Sequence, residues 1–324
     1  MSRTRVYHNG ELSAEDFPVD DISEHLKDES AVVWLDVCRP TAADFEKIRE
    51  ELGLHALAIE DATSRHERPK LDHYESHMFM TVYGVSYDKD DGDLEVHEIS
   101  AFITERALIT VRDDDGFDVK ELTDRWDAQP DLAGSGVGFL LYGLLDAVVD
   151  GHFDALQAID ERIDGVEDVL FDENPASIRE VQRRTFRIRK ALGRVRKVVA
   201  PMREIANGLM RPDSDVVDET MMPYYRDVYD HVLRVAEWTE SQRDFVGSML
   251  ETNATVQGNR QNTVMKKVTS WAAIIAVPTA ITGFYGQNIP YPGYDKMSGF
   301  IVSSTLIIVL SFSLYFAFRR WDWL

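Results

Sequence analysis

The sequence predicts an α/β domain at the N-terminus, followed by long α-helices and a hairpin of two membrane-spanning helices. Three observations predict this fold class. Short runs of β-branched and aromatic residues alternate with a helical segment in the first part of the chain. The next part has helical periodicity throughout. Two stretches near the C-terminus have no Asp, Glu, Lys, Arg or His and are long enough to cross a bilayer.

Residues 1–130 form the predicted α/β domain. The strand-like runs are Ala31–Val37, His77–Tyr87, Val96–Thr104 and Ala107–Arg112. Between the first two runs, the segment TAADFEKIREELG predicts a helix with Thr41 as its N-cap and Gly53 as its stop.

Residues 131–222 predict a helical hairpin, with helices over Phe139–Phe171 and Pro175–Met210. A third helix begins near Pro223 and meets no further proline until Pro278. Residues 223–267 therefore predict a stalk helix that continues directly into the first membrane span. An exposed helix of this length is not stable alone, so it requires partner helices.

The predicted membrane spans are residues 268–286 and 299–318, joined by the loop 287–298 and followed by the tail 319–324. A loop this short leaves both flanks on one side of the membrane. Basic residues occupy both flanks: Lys266, Lys267, Arg319 and Arg320. The positive-inside rule therefore predicts a multi-pass protein of the cell (inner) membrane, with both termini in the cytoplasm and the loop outside.

The charge of the chain is strongly acidic and unevenly distributed. The sequence has 35 Lys and Arg against 57 Asp and Glu, a net charge of −22. From Asn262 to the end the balance is +3, so the first 261 residues carry −25. This argues against nucleic acid as a partner, because phosphate contacts need a basic face. The sequence has no P-loop, G-x-S-x-G motif or metalloprotease helix, which argues against an enzyme and against a nucleotide partner.

Small and polar residues recur at steps of three and four along the first span. They form a seam of period 3.5, which predicts that this side of the helix faces other helices: Asn262, Met265, Thr269, Ala272, Ala276, Thr279 and Gly283. Several copies arranged around an axis would line a pore with this seam. The alternative interpretation of Thr279 is that its hydroxyl only bonds to a preceding carbonyl.

Four stretches carry a resemblance to a known family: LAIEDATSRHERPKLDHYE (57–75), YYRDVYDHVLRVAEW (224–238), NRQNTVMKKVT (259–269) and YGQN (285–288). Together with the closing YFAFRRWDWL, they resemble the CorA family of divalent-cation channels, which also contains the ZntB zinc transporters. The resemblance covers nearly the whole chain. It implies a funnel-shaped homopentamer in the lipid bilayer, with the first span lining the pore, and Mg²⁺ as the transported ion, with Co²⁺ and Ni²⁺ as further candidates.

The same resemblance implies a selectivity filter at Gly286, Gln287 and Asn288, where the family has a Gly-Met-Asn signature. Neutral amide oxygens can hydrogen-bond to the water shell of Mg²⁺ and still release the ion. Gly286 is expected to adopt the glycine-favoured conformation that ends the helix. Gln287 replaces the usual methionine, and it is either an additional ligand or an outward-pointing residue.

The resemblance also implies a gate and a regulatory site. Bulky apolar side chains commonly form a gate in the family pore. Met265 and Val268 could form one here, whereas Ala276 stands where a larger residue is frequent, so the constriction is expected at the cytoplasmic end. Glu60, Asp61 and Asp227 match the acids of a regulatory Mg²⁺ site between adjacent cytoplasmic domains. Bound Mg²⁺ would favour the closed state and its loss the open state.

Two further functions stay open at this point. One is a membrane-anchored cation sensor that transports nothing, against which the pore-like seam argues. The other is a ZntB-like zinc transporter. The seam has no histidine, which favours a hydrated hard cation over Zn²⁺, because zinc typically selects nitrogen or sulfur ligands. This argument does not apply to a fully hydrated zinc ion, because such an ion does not bind protein ligands directly.

Overall fold

The structure is a computed structural model that describes residues 2–64, 68–88, 91–169, 175–211, 216–287 and 290–324. The chain divides into two compact units, Met1–Ser248 and Met249–Leu324. The boundary expected at residue 130 lies inside the first unit, because the helices that follow it pack on the sheet.

The first unit is built on a seven-stranded sheet with the order β2-β1-β3-β7-β6-β5-β4. β3 and β7 are parallel and all other neighbours are antiparallel. The strands are β1 (Ser2–His8), β2 (Glu11–Glu15), β3 (Ala31–Cys38), β4 (Lys70–His73), β5 (Met78–Tyr87), β6 (Leu94–Ile103) and β7 (Ala107–Arg112). The four predicted strands are confirmed as β3, β5, β6 and β7. The sequence did not predict β1, β2 and β4, which are short or largely polar and lie towards the two edges of the sheet.

Ten α-helices are present among the described residues. They are α1 (Ile22–His25), α2 (Ala42–Leu52), α3 (Ala56–Thr63), α4 (Val119–Asp127), α5 (Pro130–Ala133), α6 (Val137–Glu167), α7 (Pro175–Val199), α8 (Met202–Leu209), α9 (Met222–Tyr285) and α10 (Met297–Arg320). The predicted caps of α2 are confirmed. Thr41 Oγ1 accepts a hydrogen bond from Asp44 N, and Gly53 is left-handed with φ of 64°.

Helices cover both faces of the sheet. On one face, an apolar cluster joins strand residues such as Leu35 and Phe102 to Phe45 and Ile48 of α2. On the other, α6 packs along β5, and His152 Nε2 donates a hydrogen bond of 2.8 Å to Tyr83 O. Burial lowers the pKa of His152 to about 4, so the imidazole is neutral at physiological pH.

The segment Pro175–Met210 is not one helix, so that prediction is wrong. α7 ends at Val199 and α8 begins at Met202, with Pro201 as its N-cap. Proline has no N–H to donate to the preceding turn and its ring crowds the carbonyl of that turn, which breaks the helix.

The predicted continuous helix from the region of Pro223 to the membrane is confirmed as α9, a helix of 64 residues that contains Pro278. Its first half is fixed to α6 by buried polar contacts. Tyr225 Oη donates to Gly138 O at 2.8 Å, and Gln242 Nε2 donates to Leu156 O at 3.2 Å. These bonds set where α9 lies along α6.

The second unit consists of the rest of α9 together with α10. Both helices have a segment long and apolar enough to cross a membrane, and these segments are only 6% and 0% buried within one chain. A core helix of a water-soluble domain would be mostly covered. The two predicted spans are therefore found as two helices suited to lipid.

We expect Asp36→Ala to destabilise the first unit strongly. Asp36 is 2% exposed and accepts hydrogen bonds from Arg112 Nε (2.9 Å), Arg112 Nη2 (2.7 Å) and Thr110 Oγ1 (2.8 Å). Its removal leaves a buried guanidinium without its carboxylate, which costs about 3–5 kcal/mol. Denaturant unfolding of the purified protein in detergent measures this loss.

The matched control is Asp20→Ala. Asp20 forms an exposed ion pair with Lys47 at 3.0 Å. Exposed pairs contribute about 0–1 kcal/mol. Equal losses of stability in the two variants would contradict a structural role for the buried pair.

Candidate functional site

All eight residues predicted to line a pore are exposed in the single chain: Asn262, Met265, Val268, Thr269, Ala272, Ala276, Thr279 and Gly283. Met265 and Val268 are 62% and 58% exposed. Two apolar side chains are thus exposed beside three polar ones on a helix that must enter a membrane.

The opposite side of the same helix is covered. At 3.6 residues per turn, the positions about half a turn away from the seam are Ser270, Ile274, Val277, Ile281 and Tyr285, and all five are buried or half-buried. A similar covered stripe runs along α10, through Gly299, Ser303, Ile307, Ser311 and Leu314. Both helices belong to one compact unit, so these stripes are the sides on which they can pack, and the seam is left exposed.

Two threonine hydroxyls near the end of α9 donate hydrogen bonds to backbone carbonyls of the preceding turn. Thr279 Oγ1 donates a 3.0 Å hydrogen bond to Ile275 O. This hydroxyl therefore does bond to a preceding carbonyl, as the alternative interpretation of Thr279 predicts. Thr282 Oγ1 likewise donates to Pro278 O at 2.8 Å. The side chain of Thr279 remains exposed, and its oxygen can still accept a hydrogen bond.

Gly286 and Gln287 follow the last turn of α9 and are exposed. Gly286 does not have the left-handed conformation expected for it: its φ is not positive and its N–H still donates to Thr282 O at 2.8 Å. A Cβ at Gly286 would lie 3.0 Å from Thr282 O, so this position favours glycine through lack of space. Asn288, the third residue of the predicted filter, lies outside the described residues.

Tyr291 was not predicted as part of this region. Its hydroxyl donates a 2.9 Å hydrogen bond to Tyr285 O, one of the last four carbonyls of α9, which have no donor within the helix. The two rings also meet edge to face, with centroids 5.0 Å apart. A tyrosine side chain therefore takes the capping role that was expected of Gly286.

A cleft of about 560 Å³ lies at the other end of the span. It is lined by Asn262, Met265 and Thr269 of the seam, by nearby residues of α9, and by Trp323 of the tail. The tail thus returns to the start of the first span, as expected for a hairpin whose flanks lie on one side. Lys266, Lys267, Arg319 and Arg320 are all exposed.

The predicted regulatory acids lie on two separate elements of the first unit. Glu60 and Asp61 are on α3, and Asp61 Oδ2 pairs with Lys70 Nζ at 2.7 Å. Although burial alone would lower it, the pKa of Lys70 is raised by its hydrogen bonds to Asp61 and Asp72. Asp61 is therefore neutralised in part within its own chain, whereas Glu60 is exposed.

Asp227 lies on α9 beside carboxylates of α6 that the sequence did not single out. Burial and then the charge of Asp150 raise the pKa of Asp146, with a smaller contribution from Asp227 in the same direction. Burial and then the charges of Asp146 and Asp227 raise the pKa of Tyr142 to about 12. Asp146 and Asp150 are four residues apart on one helix, and this spacing was the available signal.

Glu60 and Asp61 thus have a different environment from Asp227. Among the described residues of one chain, no three or more His, Cys, Asp or Glu side chains are grouped so that they could hold a metal ion. Within the described part of one chain, these acids therefore do not form a single site.

Comparison with known proteins gives consistent matches. The family described as "CorA-like Mg2+ transporter protein" matches residues 29–320. The cobalt/magnesium transport protein CorA of Thermotoga maritima is 30% identical over 315 residues, which are 95% of this chain and 89% of that protein.

Solved structures show the same fold. The complete structure of the CorA magnesium transporter from Methanocaldococcus jannaschii matches with a TM-score of 0.80 at 20% identity, over 100% of this chain and 99% of that one. The ZntB cytoplasmic domain from Vibrio parahaemolyticus matches with a TM-score of 0.52 at 15% identity, over 71% of this chain and 88% of that one.

We expect Asp146→Asn to stabilise the protein at neutral pH. Folding raises the pKa of Asp146, so the folded chain holds this proton to higher pH than the unfolded chain does, and its contribution to stability falls as pH rises above about 4. Asparagine removes this penalty and keeps an oxygen for Arg125, which donates to Asp146 at 3.2 Å. The midpoint of thermal unfolding should rise at pH 7 and show little change at pH 4.

Asp244→Asn is the control, because it removes one charge from an exposed position of α9. It corrects for the change in net charge. A gain for Asp146→Asn that is equal at pH 4 and pH 7 would show that the raised pKa is not its cause.

Proposed function

Since the chain belongs to the CorA-like Mg²⁺ transporter family, we propose that it forms a homopentamer that admits hydrated Mg²⁺ through the cell membrane. The coarser statement, a divalent-cation transporter, follows from the family. The choice of Mg²⁺, with Co²⁺ and Ni²⁺ as further ions, rests on the chemistry of this chain. The proposal includes closure by intracellular Mg²⁺.

The exposed seam of α9 is the observation that carries the proposal. Thr269 and Thr279 lie within the span, and lipid would not solvate the oxygens of their exposed side chains, whereas the other side of the helix is covered within one chain. The seam therefore needs water or other copies of α9. Five copies around an axis provide both, with polar rings inside and the hairpin stripes outside.

The mouth of this pore suits a strongly hydrated ion. Mg²⁺ gives up its waters reluctantly and prefers oxygen ligands. Gln287 and Asn288 offer neutral amide oxygens to the hydration shell, and neutral acceptors hold a dication weakly enough for it to leave. The basic residues that flank the two spans support an orientation with both termini in the cytoplasm.

The acids of the first unit suit regulation between copies. Asp227 adds to the negative potential around Asp146, and Glu60 is exposed on another element. A divalent cation between two copies would offset the repulsion of their carboxylates and favour the assembly state in which they meet. Loss of this cation would favour separation of the copies and an open pore.

Asn288→Ala tests the filter. We expect Mg²⁺ influx into proteoliposomes that contain a Mg²⁺-sensitive dye to fall by about tenfold or more, since each 1.4 kcal/mol of lost ion stabilisation changes an equilibrium about tenfold. Asn207→Ala, an exposed asparagine of α8, is the matched control and should conduct normally. Gln287→Ala in the same assay tells whether this residue is a ligand or points outward.

Undiminished influx in Asn288→Ala would refute the amide filter. Absence of Mg²⁺ influx in the unmodified protein, with Zn²⁺ entry driven by a pH gradient, would refute the magnesium assignment and favour a ZntB-like transporter. Binding of cations without any flux would favour a membrane-anchored sensor.

Asp227→Ala tests the regulation. We expect the internal Mg²⁺ concentration that halves the influx to rise by about tenfold, because one carboxylate per site is lost. The control is Asp230→Ala, another exposed acid on the same helix. Equal shifts in the two variants would mean that only net charge matters.

A further inference from the structure

Helix α7 departs from the acidic character of the first unit. Its 25 residues include nine Arg or Lys and a single acid, Glu180. The first 261 residues together carry a charge of −25. A helix this basic in such a chain calls for an acidic partner.

The contacts within one chain account for only part of this positive charge. Arg183 and Arg184 share Glu180 at 3.1 and 2.7 Å, and Arg196 pairs with Glu240. Arg187 and Arg194 donate to backbone carbonyls. In the part of the chain that the structure describes, no partner is found for Arg179, Arg189, Lys190 or Lys197.

Basic side chains of α7 surround an exposed aromatic side chain. Phe186 is 68% exposed, more than any other large apolar residue described in the first unit. Its neighbours three and four positions away on the helix surface are polar or basic. We call this set the basic face of α7: Arg179, Gln182, Arg183, Phe186, Arg189 and Lys190.

Helix α6 carries a complementary surface. Exposed residues recur along its second half at steps of three and four, and we call them the acidic stripe: Asp154, Gln157, Glu161, Asp164 and Asp168. Buried residues such as Ile163 of α6 and Ile188 of α7 lie on other sides of the two helices. Since both sets are exposed, the basic face and the acidic stripe do not cover each other within one chain.

We propose that the basic face of α7 in one copy docks on the acidic stripe of α6 in the next copy, with Phe186 packed between the two helices. This inference rests on the proposed assembly of several copies and names a surface that holds the first units together. Each copy offers one basic and one acidic surface at different places. Contacts of this kind are heterologous, and they close into a ring when the rotation between copies permits.

A second copy gives both the basic face and the acidic stripe a partner, whereas an anionic membrane surface gives a partner only to the basic face. Basic residues around an exposed aromatic ring also suit anionic lipid headgroups. A membrane, however, offers no role for the acidic stripe, which has similar length and similar spacing on the adjacent helix. The second copy uses both surfaces.

The test uses the full-length protein in membranes, where Cys38 is the only native cysteine. Two chains with different tags are expressed together, both carrying Cys38→Ser. One also carries Phe186→Cys and the other Asp164→Cys. Oxidation, or a short bis-maleimide, should give a dimer that carries both tags. Phe186→Cys alone should give none, because a heterologous contact does not bring Phe186 next to its own copy.

Two further measurements separate the docking from chance collision. Asp164→Cys paired with Glu95→Cys, at an exposed position of β6, gives the background. Arg183→Glu with Arg189→Glu in the Phe186→Cys chain should reduce the mixed dimer several-fold. Molar salt should do the same, because it shortens the Debye length from about 8 Å to about 3 Å.

A mixed dimer no stronger than background would overturn the proposal. Attachment of a photoreactive label at Phe186→Cys to lipid in place of protein would overturn it as well and assign the basic face to the membrane surface. Mg²⁺ influx measured on the same variants keeps the two proposals distinct. If influx is normal but no mixed dimer forms, only the docking proposal is overturned. If the mixed dimer forms but the protein admits no cation, only the proposed transport is overturned.

Discussion

A bilayer offers no water to the backbone, so a segment that crosses it must satisfy its own amide and carbonyl groups. This constraint governs α9. The helix continues through Pro278, and the hydroxyls of Thr279 and Thr282 bond to carbonyls of the preceding turns. Pro278 has no N–H for the carbonyl of Ile274, but the rest of the span is regular helix, so the two sides of the helix differ mainly in their side chains. The seam and the covered stripe are therefore enough to orient α9 against α10.

The first unit depends on a different kind of contact. Apolar burial stabilises the layers, but the hydrophobic effect is non-directional. Directional bonds in the interior fix the positions of the helices more closely. Tyr225 and Gln242 fix α9 along α6, and His152 fixes α6 on β5. Since α9 belongs to both units, the residues that anchor it on α6 and the residues of the seam are parts of one continuous helix.

The sequence predicted elements well where a local signal determines the structure. The helix α2 was predicted down to its caps because Thr41 and Gly53 act within one turn. Pro201 is also a local signal, because proline breaks the helix between α7 and α8, and the prediction of one helix over Pro175–Met210 did not take it into account. β1, β2 and β4 could not be predicted from apolar alternation, because β2 and β4 are only five and four residues long and β1 begins with the polar run SRTR.

For the candidate site, periodicity alone predicted the seam, since the side of a helix follows from residue spacing. The capping of Tyr285 by Tyr291 depends on the path of a loop, which residue spacing does not encode. The same holds for Asp146, whose raised pKa comes from helices that meet only in the folded chain. Glu60 and Asp61 came from family resemblance and not from any pattern in this chain.

Trp323 lines the same cleft as Met265, although it belongs to the tail after α10. Its backbone N–H donates a 2.9 Å hydrogen bond to Phe318 O, and its ring stacks on that of Phe318 with the centroids 5.7 Å apart. The tail is therefore folded back on the last turn of α10 and moves with that helix. Movement of α9 at Met265 away from α10 must either carry α10 along or widen the cleft, so the volume of this cleft depends on the separation of the two helices.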